Sequence, residues 1–222
     1  IPLFYCNAVG SQTEIVFDGG SYAFDKNANL CGALPMFRSE LSFYTCNDDG
    51  TIKEPILEPA SRVPSKELNP ATLLPDLNID QIYQALVLGI RDYFTKMGFT
   101  KAILGSSGGI DSAVTLAAAT DALGAQNILA VLMPSEFSTE HSVEDAVLLS
   151  KNLNNPYHIV PIKNVYRSFL ETLDPIFNGL PFSLAEENIQ SRSRGNILMA
   201  IANKLGYVLL NTSNKSELAT GY

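Results

Sequence analysis

A glycine- and serine-rich turn carries the residue types best suited to chemistry in this sequence. It reads Gly105-Ser106-Ser107-Gly108-Gly109-Ile110-Asp111-Ser112. At a helix N-terminus backbone N–H groups are unpaired, the helix dipole is positive, and glycines let the main chain approach an anion closely. We therefore expect the turn to hold phosphate. A carboxylate in it, Asp111, would repel phosphate unless a cation lay between them, which suggests bound magnesium.

The elements on either side of this turn are a strand and a helix. Residues 101–104 predict a short buried strand, and the Ala- and Leu-rich stretch 111–123 predicts a helix that stops at Gly124. The turn is not a Walker motif, because no lysine occurs between Lys101 and Lys151, and it is not G-x-G-x-x-G. The structural alternative is a tight strand-to-helix turn that uses glycine for positive φ and Asp or Ser as a cap.

Composition limits the classes of function. The chain has 222 residues with 46% hydrophobic content, enough for one substantial core or two small domains. A formal net charge of −8 argues against nucleic-acid binding, which selects basic patches. No apolar run approaches the roughly 20 residues of a membrane span, and no signal peptide is visible. The expectation is a cytoplasmic protein with neither nucleic-acid nor membrane partners.

The cysteines and the chain ends carry two further expectations. Cys6, Cys31 and Cys46 are an odd number without a C-x-x-C pair, and are expected to be reduced and mostly buried. The chain begins directly in a strand-like segment and ends immediately after a motif-like stretch. It is therefore expected to be an excerpt of a longer polypeptide.

The first half predicts short β-strands, a linker and a helix. The strands are expected at 1–6, 13–17, 21–24, 30–31 and 41–46, with the first turn at Gly10-Ser11. Five prolines between Lys53 and Pro75 predict an extended linker. A helix follows from Asn78 to Gly98. Its expected apolar face is formed by Ile82, Ala85, Leu86, Ile90 and Phe94.

The second half predicts alternating strands and helices. Apolar strands are expected at 127–133, 157–162 and 207–211, and helices at 142–153, 165–173 and 184–205. This alternation indicates a parallel sheet with helices on both faces. Ligands in such sheets bind beyond the carboxyl ends of the strands. The loops at 105–112, after Met133 and at 212–217 are expected to converge there.

Several segments resemble known families. Residues 107–112 resemble the S-G-G-x-D-S pyrophosphate loop of ATP pyrophosphatases, which cleave ATP to AMP and pyrophosphate. Residues 211–222 resemble the T-G-N-K-S-E-L-A-x-G-Y stretch of NAD synthetases, with Ser213 where glycine is usual. Residues 186–199 resemble the E-N-x-Q-x-R-x-R helix of that family, and residues 133–139 its M-P-S turn. Residues 7–21 resemble the late part of a nitrilase-like glutamine amidase.

Together these segments resemble glutamine-dependent NAD synthetases over essentially the whole chain. The implied fold is α/β, a doubly wound parallel sheet of the adenine-nucleotide α-hydrolase type, preceded by a β-rich remnant of a nitrilase-like α/β sandwich. The implied domains are an amidase remnant over 1–52, a linker over 53–77 and an incomplete synthetase domain over 78–222. The family is commonly oligomeric, so a homo-oligomer is expected.

The implied activity is ATP-dependent amidation of deamido-NAD to NAD through an adenylate, with ammonia from glutamine. ATP and Mg²⁺ are the implied cofactors, and the amidase catalytic Glu, Lys and Cys lie upstream of this segment, so no catalytic residue is assigned. The isolated chain is expected to be inactive. Two alternatives stay open: another ATP pyrophosphatase, such as a GMP or asparagine synthetase, or an ATP-binding module without turnover.

The resemblance also implies site residues. The ATP-binding positions are Gly105, Ser106, Ser107, Gly108, Gly109, Ile110, Asp111, Ser112, Met133 and Thr212. The deamido-NAD-binding positions are Asn188, Arg192, Glu217 and Tyr222, and the metal positions are Asp111 and Glu217. Arg194 is left undecided between ligand contact and a solvated helix face. For Glu217 the structural alternative is the first turn of a helix capped by Thr212 or Asn214.

Overall fold

The computed structural model describes the backbone of residues 1–53 and 75–220. The chain divides into two compact units, Ile1–Lys96 and Met97–Tyr222. Most of the predicted linker lies outside the described residues, and so does Tyr222. The division into domains predicted from the sequence, with the helix after the linker in the second domain, stays a prediction.

The first unit contains short antiparallel strands. They are β1 (Leu3–Tyr5), β2 (Val9–Gln12), β3 (Ile15–Asp18), β4 (Tyr22–Phe24) and β5 (Leu30–Ala33). β1, β4 and β5 form one sheet in the order β1-β4-β5, and β2 and β3 form a separate hairpin. Asp25 closes the turn between β4 and β5, because its carboxylate accepts the N–H groups of Asn27 and Asn29.

Three expectations for the first unit are wrong. The first turn lies at Thr13-Glu14 instead of Gly10-Ser11, which pair with β3 inside β2. Residues 41–46 form no strand: only Cys46 makes an isolated bridge, to Ile52. The cysteines are not mostly buried, since Cys6 and Cys46 are exposed and Cys31 is half-buried. Local apolar content does not decide burial in a small unit with short strands.

Helix α1 spans Pro75–Met97, and so begins earlier than expected. Its expected apolar face is only partly correct. Phe94 is buried, but Ile82 and Leu86 are 47% and 50% exposed, while Val87 and Leu88 are buried instead. Apolar residues occur on more than one side of this helix, so spacing alone does not identify the packed side.

The second unit is an α/β fold around a four-stranded parallel sheet. Its strands are β6 (Ala102–Gly105), β7 (Ile128–Leu132), β8 (Tyr157–Ile159) and β9 (Val208–Leu209). Its helices are α2 (Ile110–Leu123), α3 (Glu140–Asn152), α4 (Lys163–Phe177), α5 (Leu184–Leu205) and α6 (Lys215–Thr220). The strand order is β8-β7-β6-β9, with every pair parallel. The predicted doubly wound parallel sheet is confirmed.

The core of this unit lies on the sheet. All residues of β7 are buried. Because successive side chains of a strand point to opposite faces, Ile103, Leu129 and Val131 share one face, where they pack with Leu198 and Ala202 of α5. Helix α2 also packs on β6 and β7.

The strand order reverses between β6 and β9. From β6 the chain moves outward to β7 and β8, then returns through α5 to β9 on the other side of β6. Such a switch point leaves a crevice at the carboxyl ends of the strands, where α/β proteins bind their ligands. Separately, none of the helices within residues 75–220 is long and apolar enough to cross a membrane.

Candidate functional site

A cavity of about 600 Å³ lies at the switch point, entirely within the second unit. Five predicted ATP-binding residues line it: Gly105, Ser106, Ser107, Met133 and Thr212. The other lining residues come from the turn after β7, the start of α3, one face of α5 and the end of β9. The three loops expected to converge at this edge therefore do meet around one cavity.

The Gly105–Ser112 turn is held by its own serines. The hydroxyl of Ser112 accepts the N–H of Ser107 at 3.2 Å and donates to the carbonyl of Gly109 at 2.9 Å. The hydroxyl of Ser107 accepts the N–H of Gly109 at 3.2 Å. Gly109 is the N-cap of α2, and no side chain of the described residues caps this helix. The positive end of α2 is consequently open to an anion.

Gly108 allows a close contact between two loops of the site. Its φ is +82°, and a Cβ atom there would lie 2.3 Å from the backbone oxygen of Ser142 in α3. Only glycine avoids both the conformational cost and this overlap. Ser142 itself lines the cavity. The glycine therefore determines how closely the phosphate-type turn approaches the first turn of α3.

Ser106 is the most unusual polar residue of the turn. It is 5% exposed, its backbone N–H donates to Val131, and it lines the cavity. Its hydroxyl is buried and has no hydrogen-bond partner among the described residues. Burying a hydroxyl without a partner is unfavourable by about 1–3 kcal/mol. A ligand in the cavity would relieve this cost.

The turn after β7 is anchored to α4 and α5. The carboxylate of Glu136 pairs with Lys163 at 3.1 Å and with Arg167 at 2.5 Å. The hydrogen bond from Lys163 and the charge of Arg167 outweigh partial burial and lower the pKa of Glu136. Glu136 thus has two basic partners on α4, which the sequence did not predict.

Helix α5 presents a face to the cavity that differs from the predicted one. Ser191, Arg194, Gly195 and Leu198 line the cavity, at i, i+3, i+4 and i+7 spacing. The Nε of Arg194 donates to the carbonyl oxygen of Met133 at 3.2 Å. This spacing is visible in the sequence, but the sequence leaves Arg194 undecided between ligand contact and a solvated helix face.

The predicted deamido-NAD residues of α5 lie elsewhere. Asn188 and Arg192 are exposed and are not part of the cavity lining. Glu186 accepts the N–H of Ser183 and closes a capping box at the start of α5. The role of Asn188 and Arg192 in binding stays a prediction.

The loop after β9 ends in a reciprocal cap. The backbone N–H of Glu217 donates to the side chain of Asn214 at 3.0 Å, and the Glu217 carboxylate accepts the N–H of Asn214 at 3.1 Å. Thr212 lines the cavity instead of capping α6. The structural alternative for Glu217 is therefore present, and the cap partly occupies the carboxylate proposed to bind metal.

Asp111 lies in the first turn of α2 and is exposed. Within residues 1–53 and 75–220, no group of three or more His, Cys, Asp or Glu side chains is arranged to hold a metal ion. Magnesium is commonly held in proteins by one or two carboxylates, with phosphates and waters as the remaining ligands. Asp111 fits that kind of site, but not a site made of protein ligands alone.

Comparison with known proteins agrees with this architecture. A Synechocystis glutamine-dependent NAD(+) synthetase is 45% identical over the whole chain, which spans 38% of that relative. The structure of glutamine-dependent NAD+ synthetase from Acinetobacter baumannii, in complex with ADP, matches the whole chain with a TM-score of 0.86 and 37% identity; the chain covers 40% of it. An NH3-dependent NAD synthetase from Campylobacter jejuni matches 64% of the chain with a TM-score of 0.57 and 30% identity, over 60% of its own length.

The relatives and the matching family model all indicate an NAD synthase. The chain spans only about two fifths of the glutamine-dependent relatives that it matches. A family model described as NAD synthase matches residues 82–222, which include most of α1 and the whole second unit. This match contains every element that lines the cavity. The chain belongs to the NAD synthase family.

Proposed function

We propose that this chain carries the ATP-using site of an enzyme that amidates deamido-NAD to NAD, with ammonia derived from glutamine. The single observation that supports this most is the Gly105–Ser112 turn at the head of an uncapped α2, facing the cavity. It is an anion-binding arrangement in a chain of the NAD synthase family. The similarity of the whole chain to glutamine-dependent synthetases supports the source of nitrogen.

The proposed reaction has two steps. The nicotinate carboxylate of deamido-NAD attacks the α-phosphorus of ATP, the bond to the β-phosphate oxygen breaks, and an adenylate and pyrophosphate form. Ammonia then attacks the activated carbonyl carbon, AMP leaves with its oxygen, and one proton is released. The main physical obstacle is charge, because a carboxylate must approach a polyanion.

The residues around the cavity address this obstacle. The N–H groups at the start of α2 and its dipole stabilise negative charge on the phosphates. The buried Ser106 hydroxyl donates to a phosphate oxygen, and Ser107 and Ser112 keep the turn in its shape. Met133 and Thr212 contact the nucleoside part of ATP from the neighbouring strand ends. The remaining ATP positions, Gly108, Gly109 and Ile110, complete the turn.

The donor set is compatible with magnesium only when ATP supplies most of the ligands. Asp111 would hold the ion beside the phosphates, with Glu217 as a second carboxylate. When bound, magnesium would neutralise charge on the departing pyrophosphate. The Glu217 carboxylate accepts the N–H of Asn214 at the start of α6. To bind magnesium it would have to do so while keeping this hydrogen bond, or give the hydrogen bond up.

Deamido-NAD is proposed to bind along the exposed side of α5. Asn188 and Arg192 lie one turn apart on that side, and arginine suits a carboxylate or phosphate because it is permanently charged and bidentate. Glu217 and Tyr222 complete the proposed set, and Tyr222 lies outside the described residues. The β-rich segment 1–52 is proposed to be part of a nitrilase-like amidase, and the natural protein a homo-oligomer.

The test follows AMP formation by the natural polypeptide that contains these 222 residues. Mg-ATP and glutamine are supplied with and without deamido-NAD, and NAD is measured in parallel. AMP and NAD in equal amounts, only when deamido-NAD is present, are the expected result. AMP with a different acid in place of deamido-NAD would favour another ATP pyrophosphatase. ATP binding without AMP for any acid would favour an ATP-binding module.

A further inference from the structure

Asn211 lines the cavity just after the end of β9, and its side chain is held from one side. Its Oδ1 accepts the backbone N–H of Ser213 at 3.1 Å and the hydroxyl of the same residue at 3.0 Å. A backbone N–H can only donate, so the oxygen of the amide must be the atom that faces Ser213. These two bonds therefore determine the orientation of the Asn211 amide.

The nitrogen of this amide is available to a ligand. A primary amide carries its NH2 group on the side opposite its oxygen, and this group offers two donors. Among the described residues, none accepts a hydrogen bond from Nδ2 of Asn211. Asn211 thus provides a hydrogen-bond donor of fixed orientation at the wall of the cavity.

The register of the sheet places Asn211 beside the phosphate-type turn. β9 pairs in parallel with β6, and Leu209 lies opposite Ile103. The backbone N–H of Leu210 donates to the carbonyl of Ile103, so the pairing continues past the end of β9. In the same register Asn211 is level with Gly105, the first residue of the turn. Adjacent strands are about 4.8 Å apart, so an asparagine side chain can reach a group bound at this turn.

The neighbours of Asn211 indicate which part of ATP it meets. The next residue, Thr212, is proposed to contact the nucleoside part, and the turn that begins at Gly105 is proposed to hold the phosphates. The α-phosphate joins these two parts of ATP. Its charged non-bridging oxygens are strong acceptors for N–H donors. The α-phosphate is also the group that the nicotinate carboxylate attacks and that stays in the adenylate.

We propose that Asn211 is an ATP-binding residue whose Nδ2 donates to a non-bridging oxygen of the α-phosphate, and that Ser213 is the positioning residue that orients its amide. This inference rests on the proposed function. The bond from Nδ2 persists in the adenylate, whereas the contacts of the turn with the β- and γ-phosphates end when pyrophosphate leaves. Ser213 supplies two donors to Oδ1, of which a glycine would supply only the backbone one.

The test measures the dissociation constants of ATP, AMP, adenosine and pyrophosphate for the natural polypeptide by calorimetry. Asn211→Ala is expected to weaken the binding of ATP and AMP by about tenfold each, because both contain the α-phosphate. Adenosine and pyrophosphate lack this group and should bind as they do to the unaltered protein. Unchanged affinity for ATP and AMP would overturn the assignment, as would an equal loss for adenosine or pyrophosphate.

Two further variants separate ligand contact from a purely structural role. Asn211→Asp keeps an acceptor for both donors of Ser213 but replaces the NH2 group with an anionic oxygen. Its affinity for ATP and AMP should fall further than in Asn211→Ala, because like charges repel. If Asn211→Asp binds both ligands as the unaltered protein does, the amide only shapes the turn, and the proposal is wrong.

Ser213→Ala removes one of the two bonds to Oδ1 and should weaken ATP binding by about threefold. Combined with Asn211→Ala it should cause no additional loss, because Ser213 acts through Asn211. Losses that simply add would overturn the positioning role of Ser213.

The matched control is Asn127→Ala. Nδ2 of Asn127 donates to the carbonyl of Leu123 at 2.8 Å, near the opposite end of α2 from the turn, and Asn127 lies outside the cavity lining. This variant should unfold at a lower denaturant concentration and keep all four affinities. If the unaltered protein does not bind ATP, the proposed function itself fails, whereas ATP binding that Asn211→Ala leaves unchanged overturns only this inference.

Discussion

The guanidinium Nε of Arg194 donates a hydrogen bond to the carbonyl oxygen of Met133 across 3.2 Å. The bond joins α5 to the turn after β7, and both residues line the cavity. We expect Arg194→Lys to raise the KM for ATP by about tenfold, because an ammonium group lacks the Nε donor and the planar geometry. The kcat at saturating ATP should change less. AMP release measured against ATP concentration checks this.

Arg192→Lys is the matched control, two positions along the same helix. Arg192 is exposed and lies outside the cavity lining. Its replacement should leave the KM for ATP unchanged and raise the KM for deamido-NAD. A rise in the KM for ATP of equal size in both variants would show that the two arginines do not divide the substrates as proposed.

Gly108→Ala should destabilise the second unit and weaken ATP binding. The new methyl group combines a φ of +82° with a contact of 2.3 Å to the Ser142 backbone. We expect a loss of about 2 kcal/mol or more in the free energy of unfolding. Denaturant unfolding measures the stability, and calorimetry the binding.

Gly179→Ala separates the cost of the positive φ from the cost of the close contact with Ser142. Gly179 has a similar φ of +77°, but a Cβ atom there would meet nothing within 4 Å. It should therefore lose only the conformational part, about 1 kcal/mol. If Gly108→Ala is no more destabilising than Gly179→Ala, the close approach of the turn to α3 has no energetic importance.

The phosphate-type turn and the sheet were predictable because their signals are local. A buried strand such as β7 is a continuous apolar run, and the sequence 105–112 encodes its conformation through glycines and serines. The switch point follows from the order of such strands, and the right-handed connection of parallel strands limits the alternatives. Features that depend on local backbone geometry are therefore predictable from the sequence.

The remainder depends on contacts between distant segments. Gly10-Ser11 has turn-forming residues, yet it stays inside β2, where Asp92 and Lys96 bind its backbone. Arg192 and Arg194 are chemically alike, and only the orientation of α5 distinguishes them. Neither the position of Gly10-Ser11 inside β2 nor the difference between the two arginines can be recognised from neighbouring residues in the sequence.

Ser106→Ala should separate ligand binding from stability. Its buried hydroxyl has no partner among the described residues, so the variant should unfold at the same denaturant concentration or a higher one. If the hydroxyl donates to a phosphate, ATP affinity should fall by about tenfold. Fluorescence-detected unfolding and calorimetric titration with ATP give the two quantities.

Ser150→Ala provides the opposite pattern as a control. The buried Ser150 hydroxyl donates to the carbonyl of Ala146 at 2.9 Å and lies outside the cavity lining. This variant should lose a little stability and keep its ATP affinity. If Ser106→Ala instead loses stability and keeps its affinity, the hydroxyl has a structural partner and no role in binding.

The ion pairs of Glu136 lead us to expect that ATP binding weakens at acidic pH. Because the pKa of Glu136 lies below its ordinary value of 4.5, its pairs with Lys163 and Arg167 are fully present above pH 4.5 and are lost as the pH falls through the lowered pKa. The contribution of Glu136 to ATP affinity, measured as the difference between the unaltered protein and Glu136→Gln at each pH, should therefore be constant above that pH and decline below it. Glu136→Gln should reduce affinity at neutral pH. An unchanged pH profile in the variant would remove Glu136 from the anchoring of the turn.

Asp111 tests the proposed magnesium site in the first turn of α2. Asp111→Asn keeps the size of the side chain and the helix while removing the charge that would hold the ion. We expect AMP formation to fall by about a hundredfold or more, with the magnesium concentration required for half-maximal rate rising. Binding of ATP without magnesium should become tighter, because a carboxylate no longer repels the phosphates. Asp121→Asn, at the other end of α2, is the control and should change none of these three quantities. If AMP formation and its magnesium dependence are unchanged in Asp111→Asn, this carboxylate does not hold the ion, and Glu217 alone would be left as a proposed ligand within the described residues.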